Sequence, residues 1–181
     1  VSAAEVIMPG ADLSEQISTA GLEASGTGNM KFALNGALTI GTLDGANVEM
    51  LEHVGSDHLK FFGMTAQEVE DLRVAGYNPA ATIESIPALK EVLDAVGGGV
   101  FSPKDQHRYS SLVESMYSSD HFLVAPDFIS YQQAQRELDA LWLDQDSWQK
   151  KAILNTANMG WFSSDRTIRE YAHEIWGIPT V

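Results

Sequence analysis

Apolar residues recur at helical spacing from residue 30 onward, directly after a glycine-rich stretch. The positions i, i+3, i+4, i+7 and i+8 of this pattern are Met30, Ala33, Leu34, Ala37 and Leu38. This spacing predicts a helix with one apolar face. Because Gly26 and Gly28 lie on either side of Thr27 just before it, we expect a glycine-rich loop that opens the helix.

Short apolar segments alternate with predicted helices in the first part of the chain. The predicted strands are Val6–Met8, Leu38–Thr42 and Lys60–Met64. The predicted helices are one carrying Leu13, Ile17 and Ala20, the one after the glycine loop, one that Asn47 caps and that runs to Val54, and one that a Thr65–Glu68 capping box opens and Gly76 ends. This alternation favours an α/β fold with short parallel strands covered by helices.

The second part of the chain reads as helical. Pro79 and Pro87 each stand where a first helical turn begins. Further helices are expected over Asp105–Ser118, Asp127–Leu143, Ser147–Met159 and Asp165–Trp176. We therefore divide the chain into an α/β part, residues 1–77, and a helical part, residues 78–181. The expected core residues of the helical part are Leu138, Leu141, Ile153, Leu154, Ala157 and the four tryptophans Trp142, Trp148, Trp161 and Trp176.

Composition and charge exclude several classes of function. With 11 basic and 25 acidic residues, the chain carries a formal net charge of −14, which disfavours binding to nucleic acid or to an anionic membrane. It has no cysteine, and its five histidines show no metal-ligand spacing, so no metal site is predicted. No apolar run approaches the length of a membrane span. Because no charged and apolar leader follows Val1, we expect the chain to be part of a longer one.

The glycine-rich loop and the lysine after it suggest a specific chemistry. Backbone N–H groups at a helix start have no partner within the helix, and they favour an anion such as phosphate. Lys31 follows Met30 at the edge of the apolar face, and Thr27 lies four residues earlier. We expect a half-buried Lys31, because lost solvation favours the neutral amine that attacks an aldehyde. A phosphate and an aldehyde on one aromatic ring describe pyridoxal phosphate.

Each of these features also has a simpler interpretation. Most lysines at a helix edge extend their amine into solvent, and most Gly-x-Gly loops bind nothing. The loop lacks the third glycine of a dinucleotide fingerprint and the Gly-Lys-Ser/Thr end of a P-loop. Glu15 and Glu23 could accept hydrogen bonds from sugar hydroxyls beside the loop, or they could only complement a helix dipole.

Residues Glu23–Asn35 resemble the pyridoxal-phosphate signature of the α-glucan phosphorylases, which include the glycogen, starch and maltodextrin phosphorylases. The resemblance extends through Ala11–Gly21 and Gly36–Met50, so it covers about forty residues and is far more specific than a short motif. The remainder of the chain is similar to the C-terminal end of the same proteins, with weaker signatures.

The resemblance implies a fold, a reaction and a set of site residues. The chain would form the later part of the C-terminal nucleotide-binding-like domain of a GT-B fold. The enzymes of this family transfer glucose from the non-reducing end of an α-1,4-glucan to phosphate, with retention. Lys31 would carry pyridoxal 5′-phosphate as a Schiff base, and Gly26, Thr27 and Gly28 would surround the cofactor. Glu23, with the N–H groups of Ser25 and Gly26, would bind the glucosyl group.

The family's known properties also imply a cytoplasmic, homodimeric full-length enzyme. The basic residues that hold both phosphates and the first half of the cleft would lie upstream of Val1, so we expect the isolated chain to be inactive. Two alternatives remain open. One is a retaining GT-B glycosyltransferase that uses a sugar nucleotide, which Glu15, Glu23 and the anion-binding loop suit but which has no need for Lys31. The other is a non-catalytic fragment or interaction domain that binds no cofactor.

Overall fold

The computed structural model describes residues 2–179; Val1, the start discussed above, lies outside the described residues. The chain folds as an α/β structure around a three-stranded parallel sheet. The strands are β1 (Leu13–Gln16), β2 (Leu38–Gly41) and β3 (Lys60–Phe61), and they lie in the order β1-β2-β3. The predicted parallel sheet covered by helices is therefore confirmed.

Helices make up most of the remaining described chain. They are α1 (Ser2–Ile7), α2 (Gly28–Leu34), α3 (Ala46–Val54), α4 (Ala66–Ala75), α5 (Pro79–Ser85), α6 (Pro87–Gly97), α7 (Ser110–Ser118), α8 (Val124–Trp142), α9 (Gln145–Asn158) and α10 (Ser164–Glu170). Two 3₁₀ turns (Met8–Gly10 and Met159–Phe162) and a π-helical turn (Tyr171–Ile175) extend them. Within residues 2–179, no helix is both long enough and apolar enough to cross a membrane.

Local signals in the sequence fix several of these helix ends. Thr65 and Glu68 form the predicted capping box at the start of α4, and Gly76 ends that helix. Pro79 and Pro87 occupy first turns, as expected of residues whose missing N–H is not needed there. These predictions are confirmed.

Apolar side chains cover the sheet on both faces. Leu38 and Ile40 of β2 pack against α8 and α9 in a cluster that also contains Ala134, Leu138 and Trp148. Leu59 directly precedes β3 and therefore faces the other way from Lys60 and its partner Ile40. It packs in a second cluster with residues of α2, of α3 and of the 3₁₀ turn that follows α9, namely Ala33, Met50, Val54 and Met159. Helices α8 and α9, from the predicted helical part, thus lie directly on the sheet.

Two element predictions at the start of the chain are wrong. Residues Val6–Met8 form the end of α1 and the start of a 3₁₀ turn instead of a strand, and Val6 is 77% exposed. The good helix formers at residues 3–5 favour this outcome. The segment around Leu13, predicted as helix, is strand β1, because its backbone pairs with β2 in the register Leu13↔Leu38 to Gln16↔Gly41. Tertiary pairing here overrides a local preference.

The predicted core of the helical part is only partly correct. Leu138 and Trp148 are buried. Trp142, Trp161 and Trp176 are exposed, and so are Ile153 and Ala157. Trp142 lies at the last turn of α8, where its ring packs edge to face against that of Trp148, with 4.8 Å between the ring centroids. The ring is not enclosed by this contact.

Candidate functional site

The signature residues lie where strands β1 and β2 end. The segment Ile17–Thr27, which we call the signature loop, follows β1 and leads into α2. The segment Thr42–Asn47, which we call the site turn, follows β2 and leads into α3. Because both strands run in the same direction, both segments leave the sheet at its carboxyl edge, where ligands bind in open α/β sheets.

A polar cleft of about 190 Å³ opens between these two segments. Its lining includes the predicted sugar-binding residues Glu23, Ser25 and Gly26. The other residues that line it are Glu15, Gln16, Ile17, Ser18, Asn29, Asp44 and Asn47. Thr27, Gly28 and Lys31 do not line this cleft, whereas Gly26, which is predicted both at the cofactor and at the sugar, does.

The buried carboxylate of Asp44 holds the signature loop in place. Its Oδ1 accepts the backbone N–H of Gly21 at 2.8 Å, and its Oδ2 accepts the backbone N–H of Glu23 at 2.9 Å. Asp44 is only 6% exposed. A carboxylate that accepts two backbone N–H groups satisfies both oxygens, so the burial of Asp44 is compensated.

Gly45 allows the site turn to approach the loop closely. The backbone N–H of Ala46 donates to the carbonyl oxygen of Ser25 at 2.7 Å. A Cβ added to Gly45 would lie 2.5 Å from that oxygen and 2.8 Å from Cγ of Glu23, and the φ of Gly45 is +51°. Only glycine satisfies both the conformation and the space.

The tip of the signature loop presents free backbone donors. Ser25 N–H donates to Oε1 of Glu23 at 3.3 Å, and Gly26 has a φ of +74°. Within residues 2–179, the N–H groups of Gly26, Thr27 and Gly28 donate no hydrogen bond. Since Glu23 is exposed, a carboxylate acceptor and several N–H donors lie on one short segment. Such a segment can bind a polyhydroxylated or anionic ligand.

Helix α2 is anchored by its buried face. Ala33 packs in the apolar core with Met30 at its edge. Asn29 is buried and donates from Nδ2 to Oδ1 of Asn47 at 2.7 Å. The predicted helix from the glycine loop is confirmed, but it ends at Leu34, which is 58% exposed, so the apolar face is shorter than predicted.

Lys31 is exposed, and the expectation of a half-buried amine is wrong. The buried face of α2 contains Asn29 and Ala33, so the intervening Lys31 points away from the core. Its backbone N–H donates to the carbonyl oxygen of Thr27 at 3.3 Å. In the described part of the chain, its Nζ forms no hydrogen bond or ion pair.

Glu15 is hydrogen-bonded to helix α8. Oε1 of Glu15 accepts a hydrogen bond from Gln135 at 2.7 Å, and Oε2 accepts one from the Tyr131 hydroxyl at 3.1 Å. Burial and this hydrogen bond raise the pKa of Tyr131. Glu15 thus links β1 to α8, although it is exposed and lines the same cleft as Glu23.

Several residues of the site were assigned only local roles from the sequence. The Asp44-Gly45 pair is a turn signal, and Asn47 is predicted to cap a helix, but Gly45 is the residue that caps α3. Asp44 and Asn47 each form a hydrogen bond to a residue distant in the sequence. Asn29 was not singled out. The Asp-Gly pair after a strand was the only available signal, and it marks a turn without naming its partners. Within residues 2–179, no three His, Asp or Glu side chains cluster as a metal site would require.

Comparison with known proteins agrees with the signature. Glycogen phosphorylase of Pasteurella multocida is 53% identical over 181 residues, which is all of this chain and 22% of that protein. The brain form from Mus musculus is 53% identical over 178 residues, or 98% of this chain and 21% of that protein. The protein from Chlamydia pneumoniae is 50% identical over 181 residues. The chain thus spans about a fifth of the length of these relatives.

A family-wide comparison gives the same result. The sequence profile of the carbohydrate phosphorylases matches residues 1–178, nearly the whole chain. This match covers both the signature loop and the helices packed on the sheet, and therefore does not depend on the short motif alone. The chain belongs to the carbohydrate phosphorylase family.

Proposed function

We propose that this chain supplies the cofactor-binding part of an α-glucan phosphorylase. The whole enzyme transfers glucose from the non-reducing end of an α-1,4-glucan to phosphate and releases α-glucose 1-phosphate. Family membership supports this reaction, as do relatives named glycogen phosphorylase at 50–53% identity. The same match favours it over a sugar-nucleotide transferase and over a non-catalytic interaction domain.

The observation that carries the proposal is the uncommitted amine of Lys31 next to uncommitted backbone donors. Lys31 is exposed, and it follows directly on the loop whose N–H groups at Gly26, Thr27 and Gly28 have no partner within residues 2–179. An amine for an aldehyde and amides for a phosphate are what pyridoxal 5′-phosphate requires. The residues present therefore fit this cofactor. Because α2 has only seven residues, the loop amides matter more than the helix dipole.

Each predicted site residue has a role consistent with its chemistry. Nζ of Lys31 would hold the cofactor covalently, and Gly26, Thr27 and Gly28 would hold its phosphate. When bound, that phosphate supplies an acid–base group for the substrate phosphate. Glu23 accepts hydrogen bonds from glucosyl hydroxyls, and the N–H groups of Ser25 and Gly26 donate to them. Lining of one cleft by Glu23, Ser25 and Gly26 supports this second assignment.

The remaining assignments follow from the family. We propose that the sheet is the later part of a C-terminal GT-B domain, with residues 1–77 bearing the cofactor and residues 78–181 completing the domain. The substrates are an α-1,4-glucan and inorganic phosphate, and neither nucleic acid nor a membrane is a partner. The full-length enzyme is a cytoplasmic homodimer. Without the residues that grip both phosphates, the isolated chain is inactive.

Reductive trapping tests the cofactor assignment. The chain is incubated with pyridoxal phosphate and treated with borohydride, which makes an adduct between an amine and an aldehyde permanent. Peptide mapping should then find the adduct at Lys31, and Lys31→Ala should remove it. Lys104→Ala is the matched control, since Lys104 is also exposed but lies far along the chain in a segment without the signature.

The distribution of the adduct decides between outcomes. Modification of Lys31 well above Lys104 supports a site in this chain. Equal modification of both lysines would indicate only random labelling of exposed amines and would contradict the assignment. Phosphorolysis of a maltodextrin by the 181-residue chain would contradict the expected inactivity.

A further inference from the structure

The site turn contacts the signature loop through one carboxylate, that of Asp44. Asp44 uses Oδ1 for the N–H of Gly21 and Oδ2 for the N–H of Glu23, at 2.8 and 2.9 Å. The second bond fixes the backbone from which the Glu23 side chain projects. A carboxylate offers acceptors on both sides, which suits two N–H groups, whereas an amide would present a donor to one of them.

The same turn contacts the start of α2 through one amide. Oδ1 of Asn47 accepts from Nδ2 of Asn29 at 2.7 Å, and Nδ2 of Asn47 donates to the carbonyl oxygen of Thr42 at 2.9 Å. Asn29 and Asn47 are both 3% exposed. An amide is required here because the residue must accept on one side and donate on the other. Asn29 lies two residues before Lys31 in α2.

We infer that Asp44 and Asn47 are positioning residues. Through them the site turn fixes the position of the signature loop, which carries Glu23, relative to helix α2, which carries Lys31. This inference rests on the proposed function for the roles of Glu23 and Lys31. Asp44 acts on the sugar side and Asn47 on the cofactor side. Neither residue contacts substrate or cofactor in this scheme; each acts through the backbone or side chain that it holds.

Two isosteric variants test the role of Asp44 and the role of Asn47 separately. Asp44→Asn keeps the size of the side chain but turns one acceptor into a donor that faces an N–H. Asn47→Asp keeps the acceptor for Asn29 but faces the Thr42 carbonyl with a second oxygen. Asp12→Asn is the control for Asp44→Asn, since it makes the same charge change at an exposed residue.

Amide hydrogen exchange of the 181-residue chain gives the first measurement. In Asp44→Asn, exchange at Gly21 or at Glu23 should accelerate about tenfold or more, because one of the two charge-assisted hydrogen bonds is lost. Exchange at Ile40 in β2 should stay slow and shows that the variant is folded. Unchanged exchange at Gly21 and Glu23 would overturn the role of Asp44.

The second measurement follows glucose binding and cofactor trapping separately. A residue with a purely structural role would affect both of these readouts alike. Titration with glucose, followed through the amide signals of Ser25 and Gly26, should require about tenfold more glucose in Asp44→Asn. Trapping of pyridoxal phosphate at Lys31 should be slowed in Asn47→Asp and unchanged in Asp44→Asn. If both variants alter both readouts equally while remaining folded, the division of roles is wrong.

The outcomes also separate this inference from the proposed function. If the unmodified chain gives no glucose-dependent shifts and no adduct at Lys31, the proposed function of this chain alone fails. The exchange rates at Gly21 and Glu23 still decide whether Asp44 fixes the loop. If one variant unfolds, the other still tests its own half of the site.

Discussion

The site turn and the helical core are held together by different forces. The buried side chains of the site turn are polar: Thr42, Asp44 and Asn47 each form hydrogen bonds to groups distant in sequence. The helical core, which we define as the cluster around Ile83 and Leu93, consists of apolar side chains from α5, α6 and α8. Hydrogen bonds specify direction, whereas apolar burial is not directional.

This difference predicts that stability and site geometry can be separated. A hydrogen bond contributes about 1 kcal/mol net, whereas full burial of a large aliphatic side chain contributes about 1.5–3 kcal/mol. The polar network therefore adds little net stability for each bond, but it fixes atoms to hydrogen-bonding distances. Substitutions in the helical core should lower stability and spare the site, whereas substitutions at the site turn should alter the site at a smaller cost in stability.

The largest effect is expected from truncation of Ile83 in the helical core. Ile83 is fully buried, so Ile83→Ala should lower the free energy of unfolding by about 2–5 kcal/mol, as measured by urea denaturation. Val74→Ala is the control, because Val74 is 83% exposed. Trapping of pyridoxal phosphate at Lys31 should persist wherever Ile83→Ala is folded. Loss of trapping in the folded variant would break the separation.

A smaller effect on stability, with a large effect on the site, is expected from Gly45→Ala. The new Cβ would meet Ser25 and Glu23, so the signature loop must move. Gly55→Ala is the matched control, since Gly55 also has a positive φ, +89°, but nothing lies within 4 Å of its added Cβ. Both variants should lose about 1–2 kcal/mol from backbone strain. Only Gly45→Ala should shift the amide signals of Ser25 and Gly26, and equal shifts in both would refute the close-approach argument.

The elements that could be predicted are those whose signals are local. The capping box of Thr65 and Glu68, Pro79 and Pro87 each act within one turn of helix, and the structure confirms all three. Strand β1 could not be predicted, because Leu13–Gln16 carries no alternation and becomes a strand only by pairing with β2. The strands that the sequence predicts, β2 and β3, carry large apolar residues, namely Leu38 and Ile40 in β2 and Phe61 in β3.

The same distinction applies to the candidate site. The signature loop was found because its residues are contiguous, from Glu23 to Lys31. Asp44 could only be assigned to a turn, since its two partners lie 23 and 21 residues away. The exposure of Lys31 could not be predicted from the spacing of apolar residues either, because it depends on which face of a short helix meets the core. The sequence thus predicts a chemistry for the signature loop, but it does not reveal the groups that hold that loop in place.

The smallest expected effect concerns Asp127, which joins the sheet to the helical part. Oδ1 of Asp127, in the first turn of α8, accepts the N–H of Met64 at 2.8 Å just after β3. Burial raises the pKa of the Asp127 carboxyl above its ordinary value of 3.8. The folded state therefore holds this proton more tightly than the unfolded state does. The stabilisation is complete below the ordinary pKa and is lost as the pH rises through the folded one.

Asp127→Asn should remove this pH dependence while keeping the hydrogen bond from Met64. Measured by urea denaturation from about pH 4 upward, its free energy of unfolding should rise relative to that of the native chain as the pH increases. Asp127→Ala loses the acceptor as well, so it should be less stable than Asp127→Asn at every pH. If the free energy of unfolding of Asp127→Asn instead falls relative to that of the native chain as the pH rises, the ionised carboxylate is the stabilising form. The hydrogen bond between the two regions would then depend on charge, as it does at Asp44, and the contrast between a polar site and an apolar framework would have to include this junction on the polar side.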